Sequence, residues 1–147
     1  MSYALNQAIS AYRQATTTVP PTAAVTLLLD EVLNAIALAA KHTRNKEFEE
    51  AFLRTNRAMG ILQGLRQNLD MDAGGEVAKQ MLAMYSANIR ALSAVTGKKD
   101  ATERYAKLAS GLIVYRNAWA EMTTLSQRSE EALLNDIYGI GNISDIG

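Results

Sequence analysis

"LDMDAGGEVAKQM", residues 69–81, sets two acids, two glycines and a third acid between apolar runs. Read as a cation loop, it makes the chain a calcium-binding helix pair. Read as a junction, it joins two long helices of a bundle. An EF-hand loop starting at Asp70 has oxygen ligands at positions one, three and five, glycine at six and a bidentate Glu at twelve. Asp70, Asp72 and Gly75 fit their places, but position five is Gly74 and position twelve is Met81. The most demanding ligand is missing. The junction accounts for more of the stretch. Glycine past a helix end takes positive φ without a Cβ clash, and Asp70 or Asp72 can cap the next helix. Glu76, in that helix's first turn, complements the positive end of its dipole. No metal site is expected.

Outward from the junction the hydrophobic period is helical on both sides. Upstream, a helix opens at Pro21, buries Val25, Leu28, Leu29, Val32, Leu33 and Ile36, and closes on Lys41, His42 and Arg44. A second runs from about Asn45 to Leu69, with Phe48, Phe52, Met59, Leu62, Leu65 and Leu69 inward. Downstream, the third runs from about Ala73 to Thr96, ends at Gly97, and buries Val77, Ala78, Met81, Tyr85, Ile89 and Leu92. For the fourth, Asp100 and Glu103 predict a capping box, and the stripe is Ala101, Tyr105, Leu108, Leu112, Tyr115, Trp119 and Met122. Short connections between long helices predict an all-α, antiparallel up-down four-helix bundle over residues 20–126. Residues 1–19 form an N-terminal arm whose thin stripe (Leu5, Ile9, Tyr12) suits a short helix. Residues 127–147 are a C-terminal extension in which "SEEALLNDIY" suits another.

The 147 residues suffice for one domain with a real core. Fifteen basic and fifteen acidic side chains cancel, so nothing electrostatic favours nucleic acid or an anionic membrane. The absence of cysteine excludes disulfides, thiolate chemistry and cysteine-ligated zinc. "MSYALNQAISAYRQ" lacks a basic region followed by a long apolar core, and no apolar run is read as approaching a membrane span. A soluble cytoplasmic protein without membrane insertion is expected.

Chemistry is sparse. The single histidine, His42, sits in a final helical turn, where a partial positive charge is favourable; a phosphotransfer histidine sits mid-helix. One histidine cannot supply the two Glu-x-x-His pairs of a di-iron bundle. Serines lack a paired base, and no glycine-rich phosphate loop follows a strand. Glu49 and Glu50, like Glu130 and Glu131, are sequence neighbours on helices and point apart. No enzyme activity and no cofactor are expected. Met59, Met81, Met84 and Met122 lie on or beside the inward stripes, where methionine fills cores but also adapts to helical partners. Pattern alone reaches a helical bundle suited to interaction.

Several segments together resemble the flagellin-export chaperone family, the FliS type. "VPPTAAVTLLLDEVL" matches its first helix through Pro21 and Asp30, with Leu29 where the family has an aromatic and Ala24 where it has leucine. "LDMDAGGEVAKQMLAMY" is similar to its inter-helix signature through Leu69, Asp70, Gly74, Gly75, Glu76, Ala78 and Tyr85, with Ala87 at a second aromatic position. "NAWAEM" supplies Trp119 near the end of the last long helix. The resemblance implies a cytoplasmic chaperone that binds the disordered C-terminal segment of flagellin, keeps it from polymerising and passes it to the flagellar export apparatus. The client would wrap the bundle partly as helices in grooves, and an arm carrying Tyr12 would cover a groove and move aside. On this reading Tyr12, Leu28, Leu29, Met59, Met81 and Tyr85 are expected partner contacts. Pro21, Asp30, Asp70, Gly74, Gly75, Glu76 and Trp119 are structural positions. The alternative is a helical-bundle adaptor or regulatory paralogue that binds another amphipathic helix.

Overall fold

The computed structural model describes residues 21–141, and among these every regular element is a helix. The arm with Tyr12 and its expected short helix lie outside the described residues. Four long helices, α1 (Pro21–Arg44), α2 (Phe48–Gln67), α3 (Met71–Ser93) and α4 (Ala101–Ala120), precede a short α5 (Glu130–Tyr138). Helix α1 is central, packing against α2, α4 and α5, whereas α3 rests mainly on α2 and meets α4 only sparsely.

Local chemistry sets the helix ends. Pro21 occupies the first turn of α1, and Lys41, His42 and Arg44 occupy its last. The chain reverses through Lys46 at φ 60°, and His42 Nδ1 meets Glu47 Oε1 at 3.0 Å across the turn. That hydrogen bond holds the Glu47 carboxyl below its usual pKa. At the 69–81 junction Asp70 is the cap, its Oδ1 accepting from the amides of Asp72 and Ala73 at 3.1 and 2.9 Å. The positive φ falls at Gly75 (φ 54°, ψ −134°), inside α3 instead of beyond the end of α2, and kinks the helix one turn after its cap. Gly74 serves another purpose: a Cβ there would stand 2.5 Å from that of Ala78. The capping box expected before α4 does not form. Asp100 makes no side-chain cap; its carboxylate accepts from Arg104 Nε at 2.8 Å and is held below its ordinary pKa by that bond.

One interior unites the described helices, and Leu133 and Ile137 of α5 belong to it. Ala24, Ala39, Ala40, Ala58 and Ala109 are fully enclosed, so the helices approach closely where side chains are small. This rotates several expected faces. Phe48 and Phe52, read as inward, are 64% and 48% exposed, because Ala51, Thr55 and Ala58 take the core face of α2. Val77 is 63% exposed, while Ala78 and Met81 turn inward. In α4 the buried line passes through Ala109, Leu112, Arg116 and Ala120, leaving Tyr115 outside, and the helix ends before Met122, which is exposed in the turn that follows. A further correction concerns α1. By length and composition it is apolar enough to cross a membrane, with an 18-residue window of mean hydropathy 1.8, although 61% of that window is buried against the other helices.

Candidate functional site

The residues expected to touch a partner are placed largely inside. Leu28, Leu29, Met81 and Tyr85 are buried, and Met59 is partly buried against the same core. They form the packed backing of α1, α2 and α3. A partner reaches them only by parting helices. Among the structural positions, Pro21 and Asp70 are exposed at helix starts, and Trp119 is partly buried against the core. Glu76 is exposed after the kink, with Lys79 Nζ at 3.4 Å.

Asp30 is the centre of a polar knot absent from the sequence reading. Arg116, only 6% exposed, reaches it bidentately through Nε and Nη2 at 2.8 and 3.0 Å. Arg128 adds Nη1 to Asp30 Oδ1 at 3.0 Å, and Arg116 Nη1 also donates to the Ser126 carbonyl at 2.6 Å. One carboxylate on α1 therefore fastens α4 and the segment leading into α5. Arg44 completes the attachment by donating to the Ile137 carbonyl. The signal for Arg116 was its spacing, four residues after buried Leu112 on the same face.

An open surface lies between α3 and α4. Their sparse contact leaves a channel of about 600 Å³, with Ala87 and Ala91 on one wall and Leu108 and Gly111 on the other. Small side chains at this spacing let a third helix or an extended segment approach the backbone closely. A Cβ added at Gly111 would meet nothing within 4 Å. Asp100, Glu103, Arg104 and Lys107 line the polar part, so both charge signs are available to orient an occupant. By helical spacing the apolar edge of α4 continues from Leu108 and Gly111 to Tyr115. Composition hid this site, because alanine and glycine count little toward an apolar stripe.

No three His, Asp or Glu side chains gather as a metal would require among the described residues. Compared with known families, residues 4–126 match the family model described as flagellar protein FliS. No curated protein and no solved structure matches the chain. Helix α5 begins beyond the matched stretch.

Proposed function

This chain belongs to the FliS family of flagellar proteins, and from that premise we propose that it is a cytoplasmic secretion chaperone for the disordered C-terminal segment of flagellin. The observation that carries this reading is the family match over residues 4–126, which takes in all four long helices. In the proposal these run alternately up and down, and the client lays an amphipathic helix into the channel over Ala87, Ala91, Leu108 and Gly111. Burying the client's apolar face offsets part of the entropy lost when a flexible chain orders. The bound segment is then unavailable for polymerisation until it is handed to the export apparatus. Tyr12 belongs to the proposed partner contacts. Leu28, Leu29, Met59, Met81 and Tyr85 come into contact with the client only where it separates α3 from its neighbours.

Titration with the C-terminal segment of the host's flagellin, followed by calorimetry, tests the proposal. The native chain should bind it in equimolar ratio with a negative heat-capacity change. Gly111→Leu fills the channel without touching the core. It should keep or slightly raise the thermal midpoint through helix propensity and weaken the client at least about tenfold, roughly 1.4 kcal/mol. Undiminished binding in that variant places the client elsewhere, and no binding by the native chain rejects flagellin as the client.

A further inference from the structure

Beyond the flagellin reading, a second surface stands where the start of α2 meets the connection from α3 to α4. A cavity of about 390 Å³ opens there. Phe48 and Phe52, one turn apart, form an exposed aromatic wall, and buried Val95, Ala101 and Tyr105 form the floor. The Tyr105 hydroxyl bonds Thr55 Oγ1 at 2.7 Å, so its polar tip is already satisfied inside the protein. Lys98 and Lys99 are the charged side chains on the rim, and among the described residues no acid lines the cavity. Of the acids next to the lining residues, Asp100 meets Arg104 at 2.8 Å and Glu47 meets His42 at 3.0 Å, while Glu49 and Glu50 are exposed on α2 and do not line the cavity. Two exposed phenylalanines beside two lysines combine apolar area with positive charge on the cavity rim.

We infer that this end cavity docks an acidic amphipathic segment of a second protein. Its leucine or aromatic side chains enter between Phe48 and Phe52, and its carboxylates meet Lys98 and Lys99. The charge on the rim selects this occupant over a basic one of equal hydrophobicity. No residue lines both this cavity and the channel between α3 and α4, so the two surfaces are separate.

The probe is a fluorescein-labelled synthetic helix with leucines along one face and glutamates elsewhere, compared with the same helix carrying lysines. Fluorescence anisotropy with the full chain should show binding of the glutamate helix that weakens with salt, and little binding of the lysine helix. The Lys98→Glu, Lys99→Glu variant should bind the glutamate helix about tenfold less tightly, and Phe52→Ser should also weaken it. All three side chains are exposed, so the fold is retained, which circular dichroism checks. Equal binding of the lysine helix, or glutamate-helix binding indifferent to both variants, overturns the inference. So does sedimentation showing that the chain alone self-associates through Phe48 and Phe52, since the occupant is then a second copy. Gly111→Leu should leave binding of the glutamate helix intact. A chain that fails to bind flagellin and still binds this helix rejects only the chaperone reading.

Discussion

Asp30 shows how much can depend on one carboxylate. It balances Arg116, which has little access to water, and it also receives Arg128. Asp30→Ala leaves a nearly buried guanidinium with only neutral acceptors, and should cost about 3 kcal/mol in urea unfolding. Arg116→Met removes the buried charge itself and leaves Asp30 to Arg128, so it should cost clearly less; the reverse order would show that charge burial is not the cause. Gly75 is the second decisive residue. Its φ of 54° with ψ of −134° is open to glycine and costly for any L side chain, although a Cβ there meets no neighbour within 4 Å. Gly75→Val should therefore lose about 1–3 kcal/mol through backbone strain alone, and Gly75→Ala nearly as much. A large gap between the two in thermal unfolding would mean that crowding dominates.

At the scale of helices, α5 tests what the short C-terminal element contributes. It is capped by Ser129, whose hydroxyl accepts from the Ala132 amide at 3.1 Å, and closed by Gly139 at φ 70°. It sends Leu133 and Ile137 into the shared core. A chain ending at Gln127 should lose about 2–4 kcal/mol, since two buried aliphatic side chains outweigh the ordering of one short helix. An unchanged urea midpoint would show α5 to be only loosely attached. The same element marks what was legible in the sequence. Among the described residues helix existence and type were readable, because the three-and-four spacing is strong and glycine and proline punctuate it. Facing was less readable. In α2 and α4 the core side is built on Ala51, Ala58 and Ala109, and the larger Phe48, Phe52 and Tyr115 sit beside it. A stripe drawn through the largest apolar residues therefore rotates off the true seam. The channel was missed for the same reason, and the knot because Asp30, Arg116 and Arg128 are far apart along the chain.

For the molecule as a whole, the described interior is closed by residues between Ala24 and Ile137. Deleting residues 1–15 should therefore leave cooperative unfolding in place. If the arm occupies the channel, deletion should also raise the apparent affinity for the flagellin segment, because a covered site binds in proportion to its open fraction. Tyr12→Ala separates the two roles of the arm: tighter binding indicates a cover, weaker binding a contact with the client. Loss of folding on deletion would place the arm in the core and refute the covering role.

The central position of α1 also has a consequence for biosynthesis. Of the described helices this most apolar one is made first, yet its partners α4 and α5 are encoded far downstream. About ninety residues of translation separate the end of α1 from Ile137, an interval on the order of 5–20 s at typical elongation rates. During that interval part of its oily surface has no native neighbour. The nascent chain is thus most prone to misassociation before α5 emerges, and for those seconds it is itself in need of a folding helper.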